Sequence, residues 1–269
     1  MPPRTKSRNL VLTIEAVVLV AIVMTVAVPW QTSRPREITT FGTAIAAFRT
    51  PTMVVIAVDS RIMDGGMQKP EECKLHVVGD TVFAAHGVLK SAKTRFDAIK
   101  LIQAEVLQPG SLAPVSAGLA RSMSWPLTKA LDDLRKTEPA AFARATANAA
   151  LGVVVARLVE GTPQLAHVRF IARTGAGKKV IIETETHVCP PDCSVGSRDA
   201  AAIWISPRPT HTFQNAHPQW WTEDIPAVAV AFVQGEINGG LPDVGAPIDS
   251  VQLVAGGQIV WVRRGSCVK

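Results

Sequence analysis

A Gly-Thr dipeptide, Gly42–Thr43, stands immediately before the first convincing pair of strands in the sequence. A threonine hydroxyl is a poor nucleophile at neutral pH, and it attacks a carbonyl only if a base takes its proton. A free α-amine on the same residue can be that base, because its reference pKa of about 7.7–8.0 leaves it partly neutral near pH 7. The amine exists only if the chain is cut between Gly42 and Thr43. Otherwise Thr43 is an ordinary threonine at a strand edge.

The segments that follow this dipeptide predict two hairpins. Thr43–Phe48 and Met53–Asp59 are short β-favouring runs on either side of a turn-like segment. Lys74–Val78 and Thr81–Ala85 repeat the arrangement around a Gly-Asp dipeptide, which supports a tight turn. The first elements after Gly42–Thr43 are therefore expected to be β-strands.

The patterns further along predict helices and then more strands. Helical spacing runs from Ser91 to Leu107, and a second helical stretch from Leu112 to Arg135 is expected to be disturbed at Pro126. A meander of three strands is predicted at Leu151–Leu158, Ala166–Ala172 and Lys179–Glu183. A last helix is predicted at Thr222–Glu236, and a terminal hairpin at Val251–Ala255 and Gln258–Val262. This order suits an α+β fold of two antiparallel sheets packed on each other, with helices on the outer faces.

Short motifs in the first strands occur in a distinctive order. They are Gly42–Thr43, the strand segment Val54–Arg61 that ends in Asp-Ser-Arg, Lys74–Leu75, and the tripeptide Ala85–Gly87. In this order they resemble the β-subunits of proteasomes and their simpler bacterial relatives, which are N-terminal nucleophile hydrolases. The spacing from Thr43 to Asp59 matches that family, whereas the spacing from Asp59 to Lys74 is one residue shorter. Over most of residues 40–262, the resemblance implies a four-layer αββα sandwich.

The resemblance also implies roles for three of these residues. Gly42–Thr43 would be a self-cleavage junction, and Thr43 would then supply both the nucleophilic hydroxyl and the amine. The positive charge of Lys74 would lower the pKa of that hydroxyl and amine. Asp59 would keep Lys74 charged and oriented. The alternative is that Asp59 and Lys74 form a structural ion pair.

The resemblance implies further site residues, whose motifs are less specific. The backbone N–H of Gly87 matches the family's oxyanion donor, although a glycine there is also compatible with a simple turn. Ser197 matches a serine near the nucleophile, and Glu236 a late acid for which Asp243 competes. His86 has no identifiable catalytic partner and is interpreted as a structural or pocket-lining histidine.

The N-terminal segment has a different composition from the rest of the chain. Basic residues precede an apolar run from Leu10 to Val28, which is long enough to span a bilayer. Residues 1–30 are therefore predicted to be a signal anchor or a cleaved signal peptide, with a buried helix as the remaining alternative. Residues 31–42 are then a linker or propeptide, and residues 43–269 the hydrolase domain. The basic residues before the run favour a main domain on the extracytoplasmic side.

Composition and cysteine spacing limit which nucleic-acid, metal or cofactor partners are expected. Residues 1–42 carry five basic and two acidic residues, or +3 of the net charge of +6. The chain also has no tyrosine and no basic run with interleaved aromatics, so nucleic-acid binding is not expected. In an exported domain Cys189 and Cys193 would most simply form a local disulfide. No second Cys or His pair has zinc-ligand spacing, and no cofactor is expected.

These observations lead to one main functional hypothesis and to an alternative of another class. The first is a threonine-type hydrolase of peptide or amide bonds, with a small-amide acylase as a variant that sequence cannot separate from a peptidase. The alternative is a non-catalytic, proteasome-like assembly subunit that stays tethered to the membrane through residues 10–28. Assembly into a homo-oligomeric ring is implied by the resemblance alone.

Overall fold

The computed structural model of the chain describes residues 38–41, 43–64, 67–69, 73–175, 177, 179–193 and 199–267. These residues belong to one compact unit of the chain. The apolar run Leu10–Val28 lies outside them, so the predicted signal segment stays a prediction. Among the helices that are described, none combines the length and the apolar character needed to cross a bilayer.

The strands of the described residues form two antiparallel sheets. The larger sheet contains β1 (Ile38–Phe41), β4 (Ile62–Asp64), β5 (Met67–Lys69), β6 (Leu75–Val78), β7 (Thr81–Ser91), β8 (Phe96–Asp97), β9 (Leu151–Val159), β10 (Thr162–Thr174) and β11 (Val180–Cys189). The smaller sheet contains β2 (Ile45–Arg49), β3 (Met53–Asp59), β12 (Ala201–Ile205), β13 (Ile248–Val254) and β14 (Ile259–Arg263). The strand order is β11-β10-β9-β7-β1-β4-β5 in the larger sheet, where β6 and β8 also pair with β7, and β12-β2-β3-β13-β14 in the smaller sheet.

Helices cover the outer face of each sheet. They are α1 (Ala98–Val106), α2 (Leu112–Thr137), α3 (Pro139–Ala145), α4 (His211–Ala216) and α5 (Ile225–Asn238), with a 3₁₀ turn at Trp220–Thr222. On the larger sheet, Ile102 of α1 shares a buried apolar cluster with Phe170 of β10. On the smaller sheet, Phe232 of α5 shares a second cluster with Phe48 of β2.

A third apolar cluster lies between the two sheets and explains the composition of β2. Ile45 and Ala47 face the larger sheet, where Val154 belongs to the same cluster. Ala46 and Phe48, which alternate with them, face α5. Because both faces are buried, β2 is apolar from Ile45 to Phe48 instead of alternating with polar residues, and only its last residue, Arg49, is charged. The layers follow in the order helix, sheet, sheet, helix, and the α+β architecture predicted from the sequence is confirmed.

The first helix begins later than the periodicity indicates. Helical spacing predicts a start near Ser91, but α1 begins at Ala98. Asp97 caps it by accepting a hydrogen bond from the Lys100 N–H at 3.2 Å. Phe96, the first residue of the apparent helical stripe, belongs to β8. Phe96 is buried in the sheet, and a residue buried by a helix would give the same apolar position in the sequence.

The second helix is not interrupted at Pro126, contrary to the prediction. The helix α2 runs unbroken from Leu112 to Thr137 with Pro126 inside it. Proline in a helix interior removes one hydrogen bond and costs about 3 kcal/mol. Met123 and Leu127, on either side of the proline, are fully buried against the larger sheet. Burial of this stripe offsets the cost.

Candidate active site

Thr43 lies where the chain crosses from one sheet to the other. Phe41 pairs with Gly87 in the larger sheet, and Ile45 pairs with Val58 in the smaller sheet. Thr43 is 3% exposed. Its backbone is therefore fixed from both sides at the edge of the inter-sheet core.

Lys74 brings a charged amine to the Thr43 hydroxyl. It directly precedes β6 and is 2% exposed. Its Nζ donates to Thr43 Oγ1 at 3.4 Å. The same Nζ lies 3.1 Å from each carboxylate oxygen of Asp59. The structure thus places Thr43, Lys74 and Asp59, the three residues singled out from the sequence, in one buried contact chain.

Asp59 is fixed by backbone donors as well as by Lys74. It is the last residue of β3 and is 0% exposed. Its Oδ1 accepts from the Ala44 N–H at 2.9 Å. Its Oδ2 accepts from the Gly245 N–H at 3.1 Å and the Arg61 N–H at 3.2 Å. The bond to Ala44 also holds the residue that follows Thr43, so Asp59 positions both the lysine and the threonine.

The loop after α5 supplies one of these donors, and Arg61 holds that loop. The Arg61 guanidinium donates to the carbonyl oxygens of Leu241 and Pro242, both at 3.4 Å. A Cβ at Gly245 would lie 2.2 Å from Arg61 Nε, so any other residue there would require the arginine side chain to shift. Gly245 could not be recognised in the sequence, because a backbone N–H leaves no signature in the residue types.

Burial acts on the ionisation of this pair in opposite directions. Burial lowers the pKa of Lys74 below its ordinary value, and the charge of Asp59 opposes this. Burial raises the pKa of Asp59, opposed by the charge of Lys74 and by the N–H bonds from Ala44 and Gly245. A lysine with a lowered pKa releases a proton more readily than a surface lysine. The amine beside Thr43 is therefore suited to proton movement as well as to charge stabilisation.

Position 87 requires a glycine because of its backbone conformation and its close neighbours. It has φ +94°, and a Cβ there would lie 2.4 Å from the Ala150 carbonyl oxygen. Through β1, it pairs with Phe41, two residues before Thr43. The backbone of Gly87 thus pairs with the end of the strand that precedes Thr43 in the chain. Its role as an oxyanion donor stays a prediction.

The acid predicted near the nucleophile has two candidates, Glu236 and Asp243, and their contacts in the structure differ. Glu236 accepts a hydrogen bond from Ser206 Oγ at 2.5 Å. The described contacts do not bring it to Thr43 or Lys74. The charge of Asp243, in contrast, acts on Lys74, where it is a smaller contribution that opposes the lowering of the pKa by burial. Ser197 lies outside the described residues, so its assignment stays a prediction, as does that of Glu236.

His86 is partly buried, and the pKa of its ring is lowered. Burial, with a smaller contribution from Arg169, lowers its pKa from 6.5 to about 4. Its ring lies over β9 at Gly152, where a Cβ would be 2.0 Å from His86 Nε2. This environment matches a structural histidine. Across the described part of the chain, no group of three or more His, Cys, Asp or Glu side chains is arranged to hold a metal ion.

Fold and site together define an α+β protein of two helix-covered sheets with a buried threonine–lysine–aspartate cluster between them. No protein-family model matches the chain, and no curated protein matches it. Among solved structures, it is similar to Thiobacillus denitrificans BPH, with 17% identity over 79% of this chain and 98% of that chain and a TM-score of 0.42. It is also similar to Thiobacillus denitrificans BPH in complex with Epoxomicin, with 19% identity, the same coverage and a TM-score of 0.40. This similarity is distant, and the geometry of the site is what bears on function.

Proposed function

We propose that the chain is a threonine-type N-terminal nucleophile hydrolase that cleaves peptide or amide bonds after cutting itself between Gly42 and Thr43. The observation that carries this proposal is the buried contact chain from Thr43 Oγ1 through Lys74 Nζ to the Asp59 carboxylate. A purely structural ion pair needs no hydroxyl at its lysine. Here the hydroxyl belongs to the residue that a single cut would turn into an N-terminus.

Self-cleavage would use the same hydroxyl. Thr43 Oγ1 attacks the Gly42 carbonyl carbon and transfers its proton to a base. The base gives this proton to the Thr43 nitrogen as the Gly42–Thr43 C–N bond breaks, which leaves an ester at Oγ1 and a free α-amine on Thr43. Water hydrolyses the ester and releases the upstream segment with a new carboxylate at Gly42.

Turnover would follow with the amine as base. The Thr43 α-amine takes the hydroxyl proton as Oγ1 attacks the substrate carbonyl, and the Lys74 charge favours the oxygen anion that develops. The Gly87 N–H is the proposed donor to the tetrahedral oxyanion. The protonated amine gives its proton to the leaving nitrogen as the C–N bond breaks. The resulting ester is hydrolysed by water, and Thr43 is regenerated.

The backbone pairing around β1 supports an extended peptide as substrate. β1 pairs with β7 from Ile38↔Ser91 to Phe41↔Gly87 and with β4 at Thr40↔Met63. A strand is therefore accommodated between β7 and β4, directly before the proposed cut. If the upstream segment leaves, both neighbours present unpaired backbone groups that an extended substrate can satisfy.

The same strand favours the alternative of a non-catalytic assembly subunit. In the uncut chain β1 completes the larger sheet between β7 and β4. Removing it would expose two strand edges, which proteins ordinarily avoid. A subunit that never cuts Gly42–Thr43 keeps these edges covered. The two functions thus differ in whether β1 stays attached.

Intact-mass measurement and N-terminal sequencing of the purified protein distinguish them. We expect a chain that begins at Thr43 in the wild type, and an uncut chain in Thr43→Ala. Thr43→Ser is the matched control, because it keeps a hydroxyl and is expected to be cut. Lys74→Ala is expected to slow processing by at least about 100-fold, the usual scale for losing a proton-transfer group.

Hydrolysis of fluorogenic peptide amides by the processed protein then tests turnover. Activity that is present in the wild type and absent in Thr43→Ala supports the hydrolase. A wild-type chain that keeps residues 38–42 and hydrolyses no amide would replace the hydrolase by the assembly subunit.

Location and assembly remain proposals. We place the domain in an oxidising, extracytoplasmic compartment, and two disulfides, Cys73–Cys267 and Cys189–Cys193, support this. The second is the local pair predicted from the sequence. Attachment through residues 10–28 and assembly into a homo-oligomer rest on the sequence alone.

A further inference from the structure

The disulfide Cys73–Cys267 attaches the residue next to Lys74 to a segment 194 residues further along the chain. Lys74 itself lies just before β6. Among the described strands, β6 pairs only with β7, starting at Leu75↔Ala84. The backbone at Lys74 therefore has a sheet neighbour on one side only. The disulfide supplies the covalent restraint immediately before it.

The far end of this disulfide is itself firmly held. Asp249 of β13 is 0% exposed. Its Oδ1 accepts from the Gly265 N–H at 2.7 Å and the Cys267 N–H at 3.1 Å. Its Oδ2 accepts from Ser266 Oγ at 2.6 Å and the Ser266 N–H at 3.2 Å. The tail segment Gly265–Cys267 thus wraps around one buried carboxylate.

The same carboxylate holds the neighbour of Asp59. Ser60 Oγ donates to Asp249 Oδ2 at 2.8 Å, and Ser60 Oγ and Ser266 Oγ lie 2.8 Å apart. One buried group therefore connects both members of the ion pair. Asp59 is reached through Ser60, and Lys74 through Cys267 and Cys73. The direct Lys74–Asp59 contact is supported by a second, independent path through the tail.

We propose that the Cys73–Cys267 disulfide and the tail segment are the positioning element that keeps Lys74 in place beside Thr43. A buried lysine returns to water unless its backbone is restrained, because its desolvation is costly and its side chain has large rotamer entropy. Breaking the bridge frees the backbone at Cys73. Lys74 then moves toward solvent and away from Thr43 Oγ1. The part of this inference that concerns Thr43 reactivity rests on the proposed function, whereas the part that concerns Lys74 burial does not.

The test breaks this disulfide selectively. In Cys189→Ser/Cys193→Ser, dithiothreitol can reduce only Cys73–Cys267: the reagent supplies two electrons and two protons, becomes a cyclic disulfide and leaves two cysteine thiols. Thiol titration verifies the reduction. Acetic anhydride labelling of Lys74, read by peptide mass spectrometry, is expected to rise at least about tenfold on reduction, because local opening now exposes the amine. Cys73→Ser/Cys267→Ser is expected to show the higher labelling without reductant.

Peptide-amide hydrolysis gives the second readout. We expect kcat to fall on reduction by at least about tenfold while KM changes by less than about twofold, since Lys74 acts at the reacting hydroxyl. Re-oxidation with oxidised glutathione is expected to restore both labelling protection and kcat. The oxidised Cys189→Ser/Cys193→Ser protein is expected to match the wild type in both measurements.

Three results would overturn the proposal. They are unchanged Lys74 labelling in fully reduced protein, labelling that rises only with loss of near-ultraviolet circular dichroism across the whole domain, and failure of re-oxidation to restore protection. An oxidised protein with protected Lys74 but no hydrolysis at all would instead contradict the proposed function. The two failures are therefore distinguishable.

Discussion

Replacing Asp59 with asparagine removes the charge that accompanies buried Lys74 and tests the site directly. Both side chains are almost completely buried, and Lys74 Nζ lies 3.1 Å from Asp59 Oδ2. Removing one partner of a buried pair costs about 3–5 kcal/mol, because the other charge stays uncompensated. Asparagine also turns an NH₂ group toward N–H donors on one side, either Ala44 or the pair Gly245 and Arg61. For a domain of this size the melting temperature is expected to fall by about 6–20 °C.

The matched variants form a double-mutant cycle. Lys74→Met removes the amine but leaves Asp59 its backbone donors. Asp59→Asn/Lys74→Met contains no buried charge at this position and is expected to be more stable than Asp59→Asn alone by about 1–3 kcal/mol. Urea unfolding followed by circular dichroism at pH 7 gives all four free energies. None of the three variants is expected to be cut at Gly42–Thr43.

A small loss would refute this reasoning. If Asp59→Asn costs less than about 1 kcal/mol, the lysine is not held as an uncompensated buried charge. If the double variant is no more stable than Asp59→Asn, the cost comes from the backbone hydrogen bonds and not from the charge. Either result would remove the electrostatic argument for a reactive lysine.

Two further predictions concern other positions. His86 and His167 have pKa values of about 4 and about 3, lowered mainly by burial from 6.5, so the unfolded chain takes up protons first on acidification. The two histidines therefore contribute their full stabilisation above pH 6.5, and the free energy of unfolding falls as the pH is lowered below that value. In urea titrations between pH 6.5 and 4, His86→Phe is expected to reduce the slope of the free energy of unfolding against pH by up to about 1.4 kcal/mol per pH unit. An unchanged slope would contradict the burial of a neutral ring. Gly87→Ala places a Cβ 2.4 Å from the Ala150 carbonyl oxygen, whereas Gly79, also at positive φ, has no atom within 4 Å of its Cβ position. Gly79→Ala is expected to cost about 1 kcal/mol and Gly87→Ala at least about 2 kcal/mol more, and equal losses would show that the clash at Ala150 is relieved.

Local patterns in the sequence determined much of the secondary structure. The hairpin β2–β3 and the pair β6–β7 were predictable because alternation and turn dipeptides act between residues close in sequence. The meander β9–β10–β11 and the helix α5 follow from the same local signals. The three residues Thr43, Asp59 and Lys74 were identifiable through the resemblance of their motifs, in order and spacing, to a known family.

Only the tertiary structure decided how the site is held. Gly245 donates to Asp59 from 186 residues away, and it acts through a backbone N–H that no residue type encodes. The predicted Cys189–Cys193 pair leaves Cys73 and Cys267 as the other two cysteines, but only the fold shows that their Cα atoms lie 4.7 Å apart and can be bridged. The insertion of β1 between β7 and β4 depends on strand edges that exist only after the rest of the larger sheet has formed. Sequence periodicity reports the local environment of a residue, whereas the contacts of Thr43 depend on partners that folding brings together from distant parts of the chain.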